Sequence, residues 1–401
     1  MKKCKYIHQL PGWPKFTWDI ASLSPMLAEV RHRQGLLLGH MKTLGFSLQG
    51  EATLQTITLD VVKSSEIEGE HLNEKQVLSS VARRLGIDIA GATSSDRHVE
   101  GVVEMMLDAT QNFEQPLSAR RLCGWHAALF PTGRSGMRAI ISGEWRNNTS
   151  DDPMQVVSGA FGREKVHFEA PSGELVPEEM DAFISWFNDE VDLDPVLKAG
   201  VAHLWMVTVH PFDDGNGRIA RAVTDMQLAR ADGSPRRFYS MSAEIRRHRN
   251  EYYGILEKTQ KGSLDISRWL EWFLGCLRSA IEASGGQLSQ VLVKASFWEK
   301  YGSSQLNARQ RLLLGRLIEG FEGRLTTSKW AKIAKCSQDT AGRDIQGLIG
   351  LGVLARDKGA GRSTAYLLRN KESPDTHPIS TARNRGLRTN FLTPRRTGDS
   401  L

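Results

Sequence analysis

The run His210-Pro-Phe-Asp-Asp-Gly-Asn-Gly-Arg-Ile-Ala-Arg221 constrains the fold more than any other part of the chain. The stretches on either side of it, 196–209 and 218–231, have the composition and periodicity of helices. Pro211 and the glycine-flanked Gly215-Asn216-Gly217 cannot continue a regular helix. The sequence therefore predicts two helices joined by a short loop, with the loop opening into the N-terminus of the second helix.

Such a loop is suited to binding phosphate. Backbone N–H groups of a glycine-rich turn, together with the positive end of a helix dipole, form an anion-binding cradle. Gly215 and Gly217 allow close approach of the backbone, and Asn216 lies between them. Arg218 and Arg221 are three residues apart, so they share a helix face beside the cradle. We expect both guanidinium groups to bind phosphate oxygens.

Two further side chains give the loop the means for group transfer. Asp214 is placed to hold Mg²⁺, which takes one or two carboxylates and completes its shell with phosphates and water. His210, at the other end of the loop, can accept a proton from an attacking hydroxyl. The alternative is a plain polar turn between helices. In that case all of these specified positions would have to coincide by chance.

The full pattern HxFx[DE]GNGRxxR resembles the motif of the Fic family, and every defining position is matched. The resemblance implies transfer of AMP from ATP to a protein hydroxyl, with His210 as base, Asp214 holding Mg²⁺ and Phe212 packing the loop. Gly217, where some relatives have lysine, favours nucleotidyl transfer over phosphate transfer. The nucleotide-binding run would comprise Asp214, Gly215, Asn216, Gly217, Arg218, Ile219, Ala220 and Arg221.

A second helix carries an inward-facing carboxylate. Ile57, Val61, Ser64 and Glu68 follow the spacing of one helix face, so Ser64 and Glu68 extend an apolar stripe. A buried carboxylate needs a cationic partner. Ser64-x-x-x-Glu68-Gly69 resembles the inhibitory [ST]xxxE[GN] motif of Fic proteins, which implies that Glu68 pairs with the last arginine of the active-site motif. Taken alone, the same string is consistent with a helix that simply ends at the glycine.

Composition agrees with a globular protein of about two or three domains. The cysteines at 4, 123, 276 and 336 have neither disulfide-framework nor zinc-site spacing. No apolar run of about 18 residues is present, and the N-terminal residues lack the apolar core of a signal peptide. We therefore expect a cytoplasmic protein without membrane contact. Its net charge of +6 permits contact with nucleic acid without requiring it.

The expected fold is mainly α: a Fic-type helical bundle with a β-hairpin flap, followed by a winged helix-turn-helix domain. We divide the chain into an N-terminal Fic-associated domain with the inhibitory helix, a Fic catalytic domain, a winged-helix domain and a disordered basic tail. These regions span residues 1–90, 91–285, 286–370 and 371–401. The opening YIHQLPGWPKFTWD resembles the domain fused to many Fic proteins, and its aromatic residues are more typical of core anchors than of ligand contacts.

Between residues 145 and 177, two β-prone pieces flank a glycine-containing turn and predict a hairpin. Its position corresponds to the Fic flap, whose edge would pair with an extended target segment. The resemblance implies that its nucleotide-contacting stretch is Val156, Val157, Ser158 and Gly159, although valine is commoner than serine at 158. A purely structural hairpin is the alternative.

The segment 242–262 resembles the part of Fic proteins that lines the nucleotide pocket. Tyr252 and Tyr253 would then lie against adenosine, and Gln260 would stand where relatives often have asparagine. Core packing is the alternative for a Tyr-Tyr pair on a helix. His203 precedes His210 by two helical turns, yet no third ligand suggests a metal site, so we expect it to be a packed helix residue.

Residues 305–368 read as three helices followed by a β-hairpin, the pattern of a winged helix. Arg356, Lys358 and Arg362 in the wing could bind DNA phosphates. The third helix argues less strongly for DNA because Asp339 and Asp344 offset its arginine. DNA binding and a protein-contact or dimerisation role therefore both stay open.

These observations lead to one principal prediction, a protein adenylyltransferase that uses ATP and Mg²⁺ and modifies a Ser, Thr or Tyr hydroxyl of a target protein or of itself. Glu68 would inhibit it by pairing with Arg221. The alternative is a nucleotide-sensing, DNA-binding regulator whose Fic site is vestigial or removes the modification. A homodimer is compatible with either.

Overall fold

The computed structural model describes residues 5–89, 91–149, 151–159, 163, 165–189, 192–301, 306–321, 323–357 and 364–369. The chain divides into two compact units, residues 1–296 and 297–401, and each is described by itself. Both are mostly helical, which confirms the mainly α fold class. The proposed tail, 371–401, lies outside the described residues, as do Lys358 and Arg362 of the expected wing.

Helices of the first unit begin at side-chain caps that the sequence supplies. Asp19, Asn73, Asp96, Ser118 and Ser240 each accept hydrogen bonds from backbone N–H groups of the first turn of a helix. The helices are α1 (Ile20–Thr43), α2 (Phe46–Ile67), α3 (Glu74–Leu85), α4 (Arg97–Gln111), α5 (Ala119–Leu129), α6 (Val176–Asn188), α7 (Pro195–Val209), α8 (Asn216–Asp232), α9 (Met241–Arg247), α10 (Arg249–Gln260) and α11 (Ser267–Tyr301).

Helices α7 and α8 form the centre of this unit. Every residue of α7 from Val196 to Val209 is buried, which explains why its sequence is apolar on all sides. Trp269 on α11 donates to the carbonyl of Gly200, where a larger residue would collide with the neighbouring side chains. Although α7 is apolar, no helix in the described part of the chain is long and apolar enough to cross a membrane.

One hydrophobic core joins the N-terminal helices to the central pair, with buried members from Ile7 to Ile281. Helix α2 contacts α3, α4, α8 and α9. A polar cluster lies within this interior: Asp60 of α2 accepts from the Ser240 hydroxyl at 2.5 Å, and Arg237 pairs with Asp225 at 3.0 Å. The first 90 residues therefore share their core with the helices that follow them.

Short strands lie between α5 and α6. β1 (Arg134–Ser135) pairs with β2 (Arg138–Ala139), and β3 (Gln155–Ser158) pairs antiparallel with β4 (Lys165–Glu169). The second pair is the hairpin expected from the sequence. Its inner side is anchored by Phe168, which contacts the ring of Tyr6 edge-on at a centroid distance of 5.1 Å.

The second unit contains α12 (Ala308–Gly320), α13 (Thr327–Ala334), α14 (Gln338–Gly350) and the antiparallel strands β5 (Leu354–Arg356) and β6 (Tyr366–Leu368). Its core includes Leu313, Trp330, Ile345 and Leu354. Thr326 and Ser337 cap α13 and α14, as their sequence positions suggest. Three helices followed by two paired strands is the order expected for a winged helix, and that assignment stays a prediction.

Candidate active site

His210 occupies a strained turn at the end of α7. Its backbone is left-handed, with φ 53° and ψ 57°, a conformation uncommon for residues other than glycine. The ring Nδ1 lies 3.3 Å from the carbonyl oxygen of Val207, so we assign the proton to Nδ1, which donates to that oxygen. Burial, followed by the nearby charge of Arg146, lowers the pKa of His210 to about 4. Its Nε2 is therefore left as a proton acceptor in a neutral ring.

Arg146 holds this turn in place, and the sequence reasoning missed it. Its guanidinium is 1% exposed and donates to three backbone carbonyls, those of His210 at 2.6 Å, Pro171 at 2.6 Å and Val209 at 3.1 Å. Its own backbone N–H donates to the carbonyl of Pro211 at 2.9 Å. One side chain thus connects the strained histidine to the segment that follows β4. A buried arginine in a loop sequence carries no local signal for this role.

The rest of the turn is fixed by contacts within itself and by aromatic packing. Asn216 bridges the backbone of Phe212, accepting from its N–H at 2.9 Å and donating to its carbonyl at 2.8 Å. The fully buried Phe212 ring stacks on His126 with centroids 4.2 Å apart, and Trp145 packs beside it. His126, also absent from the sequence-based site, accepts from the Gly143 N–H and donates to the Asp214 carbonyl.

Gly215 immediately precedes α8, and its φ of 76° and contact with Phe130 leave no room for a side chain. No side chain caps this helix end. The N–H groups of its first turn therefore face outward at the positive end of the helix dipole, as an anion site requires. Ile219 and Ala220 follow on the buried side of the helix and pack into the core.

Arg218 and Arg221 lie beside this helix end and are almost fully buried, with exposures of 1% and 2%. Within the described residues, Nε of Arg218 and Nη1 of Arg221 are buried without a hydrogen-bond partner. Buried guanidinium donors are normally paired, so these two atoms indicate a missing acceptor. Phosphate oxygens at the N-terminus of α8 would match that acceptor in charge.

The inhibitory-motif residues contact the second of these arginines. The Arg221 guanidinium donates to the Ser64 hydroxyl at 2.8 Å, the Ser64 carbonyl at 2.9 Å and the Glu68 carboxylate at 2.7 Å. Although burial alone would lower it, the pKa of Arg221 is raised because of the facing Glu68 carboxylate. Helix α2 ends here, with Gly69 at φ 86° turning the chain away. The carboxylate also crowds Gly217, where any side chain would overlap it.

A second carboxylate from the same segment, which the sequence reasoning also missed, pairs with the other arginine. Glu70 accepts from Arg218 at 2.6 Å and lies 3.3 Å from Nε2 of His98 on α4. Burial opposes it, yet the His98 hydrogen bond and the Arg218 charge hold the pKa of Glu70 below its ordinary value. In turn, the hydrogen bond to Glu70 raises the pKa of His98. Both arginines of the first turns of α8 are thus bound by carboxylates.

Asp214 lies at the entrance to the turn. One carboxylate oxygen accepts from the Gly215 N–H at 2.6 Å, and the other accepts from the Ser135 hydroxyl. Each oxygen keeps further lone pairs, so the donor set fits a cation that takes one protein carboxylate and phosphate oxygens. The described residues contain no group of three His, Cys, Asp or Glu side chains placed to hold a metal by themselves.

The expected pocket residues on α10 divide into two groups. Tyr253 is partly exposed, and its hydroxyl lies 3.4 Å from the Glu68 carboxylate that binds Arg221 of α8. Tyr252 is buried, and its hydroxyl pairs with Nε2 of His203 at 2.8 Å. Gln260 is also buried and donates to the Val207 carbonyl at 3.4 Å, the same oxygen that His210 contacts. Tyr252 and Gln260 thus lie within the protein behind the turn.

His203 is a packed core residue with both ring nitrogens bonded, Nδ1 to the Thr224 hydroxyl at 2.9 Å and Nε2 to Tyr252. Burial lowers its pKa to about 3, so the ring is neutral.

The four flap residues lie at the end of the hairpin. Val156 and Val157 face opposite sides of β3, the second being 47% exposed, and Gly159 follows the strand with φ 111°. Ser158 is exposed and bonds to His167 of β4.

Comparison with known proteins supports this architecture. Residues 116–228 match the model of the Fic/DOC family, and residues 6–87 match a domain of unknown function, DUF4172. The structure of a Fic family protein from Desulfovibrio desulfuricans G20 aligns with 89% of this chain and 98% of its own, with a TM-score of 0.51 and 20% identity. That likeness concerns the fold.

Sequence relatives include the protein adenylyltransferase fic-1 of Caenorhabditis elegans, 36% identical over 99 residues, which are 24% of this chain and 18% of that protein. Protein adenylyltransferase Fic of Culex quinquefasciatus is 31% identical over 137 residues, 33% of this chain and 25% of that protein. The matches thus span a quarter or less of these relatives. Together with the complete turn motif, the family match shows that residues 116–228 of this chain form a Fic/DOC-family domain.

Proposed function

We propose that the protein transfers AMP from ATP to a Ser, Thr or Tyr hydroxyl of a target protein. The observation that carries this proposal is the pairing of a neutral histidine with an uncapped helix end. Nε2 of His210 is a proton acceptor, and α8 begins beside it with two buried guanidinium donors that lack partners. Those features match a hydroxyl attacking a phosphate. The relatives named as protein adenylyltransferases support the same chemistry.

In the proposed reaction the triphosphate lies at the start of α8, bound by backbone N–H groups and by Arg218 and Arg221. His210 accepts the proton of the target hydroxyl as its oxygen attacks the α-phosphorus, and pyrophosphate leaves. The negative charge of bound nucleotide raises the low pKa of His210 towards neutrality, which makes it a better base. Asp214 would hold Mg²⁺, which supplies charge neutralisation for the phosphates. Binding and orientation of the two substrates provide much of the rate.

The hairpin β3–β4 offers a route for the target. Val157 is exposed on β3. An extended segment of the target that paired with this strand edge would place the target hydroxyl over the α7–α8 turn. The nucleotide would contact Val156, Val157, Ser158 and Gly159 on this hairpin and Tyr253 on α10. Tyr252 and Gln260, being buried, would support the pocket from behind.

We further propose that Glu68 inhibits the reaction. Its carboxylate binds Arg221, the guanidinium that the terminal phosphate requires, and adds negative charge where that phosphate binds. Two unit charges 4 Å apart near a protein surface repel by about 4 kcal/mol. ATP would therefore bind weakly, or bind with its α-phosphorus turned away from the hydroxyl.

The test is to incubate the protein, and the variant Glu68→Gly, with ATP labelled at the α-phosphate in a cell lysate. Covalent label on a lysate protein or on the chain itself is expected, with loss of label in EDTA and in Asp214→Ala. Label from the γ-phosphate instead would show phosphate transfer. Absence of any covalent label, with ATP binding retained, would favour a nucleotide sensor.

One observation favours a second candidate, a nucleotide-sensing regulator that binds DNA. Asp344, which appears in the sequence to offset the charge of α14, is buried and accepts from Arg309 at 2.7 Å and Asn307 at 2.9 Å. Arg343 and Arg356 remain exposed. In a gel-shift assay we expect this chain to bind duplex DNA with an affinity that falls steeply as the salt concentration rises. Arg343→Glu should weaken that binding. Arg268→Glu, at an exposed position of α11, is the control; no shift at low salt would exclude this function.

A further inference from the structure

A hydroxyl, an imidazole and a carboxylate form a hydrogen-bonded chain outside the turn already described. Oγ of Ser158 lies 2.6 Å from Nε2 of His167, and Nδ1 of His167 lies 2.7 Å from a carboxylate oxygen of Glu257. The two strands of the hairpin contribute the first two groups, and α10 contributes the third. A nucleophile bonded to a base that is itself oriented by an acid is the arrangement by which proteins activate hydroxyls.

A β-bulge directs His167 into this chain. Val156 pairs with Phe168 and Val157 pairs with Val166, which leaves His167 as the extra residue of β4. Phe168 is buried against the core side of the hairpin, whereas the His167 ring reaches α10. Bulges near functional sites commonly turn one side chain away from its regular direction. The irregular register thus serves to bring His167 between Ser158 and Glu257.

The carboxylate end of the chain stays ionised. Lys261 donates to Glu257 at 2.6 Å, and this hydrogen bond, followed by that of His167, lowers the pKa of Glu257 to about 2. An ionised acceptor at Nδ1 places the ring proton there, so Nε2 accepts from the Ser158 hydroxyl. The same carboxylate would stabilise the imidazolium that forms when the serine loses its proton.

Helix α10 relates this chain to the active site. Tyr253, Glu257 and Gln260 have the spacing i, i+4, i+7 and therefore share one helix face. Tyr253 approaches Glu68 beside the arginines, and Gln260 contacts the Val207 carbonyl behind His210. Glu257 lies between these two residues, which are about 10 Å apart along the helix axis. Ser158, attached to Glu257 through His167 and exposed, is thus held along the face of α10 that borders the site.

We propose that Ser158 is a self-acceptor of the nucleotidyl group, activated by His167 and Glu257. The inference rests on the proposed AMP transfer. Oγ of Ser158 would form a bond to the α-phosphorus of bound ATP as the bond from that phosphorus to the bridging oxygen breaks. Pyrophosphate departs with the electron pair, and the hydroxyl proton passes to Nε2 of His167. The product is an AMP phosphodiester on the hairpin.

The experiment uses the full chain carrying Glu68→Gly, incubated with α-labelled ATP, Mg²⁺ and the lysate that supplies a target. The label is located by peptide mass spectrometry and is expected on Ser158. Ser158→Thr, which keeps a hydroxyl, should retain label at this position, whereas Ser158→Ala should lose it. Ser172→Ala is the matched control, since that hydroxyl lies just beyond β4 and has no hydrogen-bond partner among the described residues.

His167→Gln separates activation from anchoring, because glutamine keeps a hydrogen-bonding side chain but supplies no base. We expect label on Ser158 to fall by about 10²–10⁴-fold, the usual contribution of a general base, and label on the lysate target to fall far less. Equal losses at both positions would show that His167 only anchors the hairpin and would overturn the proposal. Label on the target or elsewhere in the chain, with Ser158 unmodified, would also overturn it. No label anywhere would instead refute the proposed AMP transfer.

Discussion

Helix α10 bonds to the last turn of α7, just before the α7–α8 turn, and to the β3–β4 hairpin, yet the turn and the hairpin are held in different ways. Part of the turn is fixed by its own residues, since Asn216 bonds both backbone groups of Phe212 and Gly215 immediately precedes the next helix, while Arg146 holds His210 from outside the motif. The hairpin depends on residues far away in sequence, with Tyr6 packed on one side and Glu257 bonded on the other. A contiguous motif can therefore be read from sequence, whereas a site assembled from distant residues requires the fold.

The largest effect is expected when the imidazole that the turn itself supplies is removed. His210→Ala should reduce AMP transfer by at least about 10²–10⁴-fold because the base acts in the chemical step. ATP affinity should stay close to wild type, since phosphate binding resides in the helix end and the arginines. Transfer rate and ATP binding are measured on the same protein, with exposed His248→Ala as control. Wild-type rates in His210→Ala would contradict the mechanism.

The pH profile gives a related result. Because burial and Arg146 lower the pKa of His210 to about 4, the free enzyme should keep its base neutral down to that pH. The acid limb of kcat/KM should therefore fall near pH 4, after correction for unfolding.

Arg146 is the distant residue on which the turn depends most, and it should produce the next largest effect. Arg146→Met leaves three backbone carbonyls without their donor. We expect the free energy of unfolding to fall by about 2–4 kcal/mol and transfer to fall about 10–100-fold. Chemical denaturation and labelling rates measure the two losses.

Arg138→Met, on an exposed short strand, provides the matched arginine control. If Arg146→Met retained both stability and AMP transfer, the turn would be held by its own residues alone. It would then differ from the β3–β4 hairpin even more clearly.

Glu68→Gly tests the contact that α2 makes with the turn. Releasing Arg221 should tighten ATP binding and raise labelling by about 10-fold or more, because one repulsive charge is removed from the phosphate site. Glu68→Asp should activate less, since it retains the charge. Glu66→Gly is the control, as that neighbouring carboxylate pairs with Lys63 and Arg246. Equal ATP affinity and self-labelling in wild type and Glu68→Gly would leave Ser64-x-x-x-Glu68-Gly69 as a helix end only.

The distinction between neighbouring and distant contacts also explains which features of the molecule can be predicted from its sequence. Helix caps, the turn motif and the position of the hairpin were all accessible, because each depends on neighbouring residues. The contacts of Arg146 and Glu70 were not, since nothing local distinguishes them from other charged residues. Asp344 looked like a surface charge opposing DNA, yet tertiary pairing with Arg309 buries it. Tyr252 is predicted from the sequence to contact the nucleotide and that role stays a prediction, while the structure shows Tyr252 bonded to His203 and Tyr253 beside Glu68.

Replacing Glu70 should give the smallest effect of these variants. It tests whether a carboxylate distant in sequence controls Arg218 beside the turn. Because the hydrogen bond that His98 donates to the Glu70 carboxylate raises the pKa of His98, protonated His98 favours the folded contact. That contribution is present below the ordinary pKa of about 6.5 and is lost as pH rises through the raised value. Glu70→Gln should therefore lower the His98 titration midpoint, observed by NMR of its ring protons. It should also strengthen ATP binding a few-fold by releasing Arg218, while exposed Glu74→Gln should change neither. An unchanged His98 midpoint would show that Glu70 contributes nothing to this pairing in solution, and unchanged ATP affinity would leave Glu68 as the carboxylate that controls the turn.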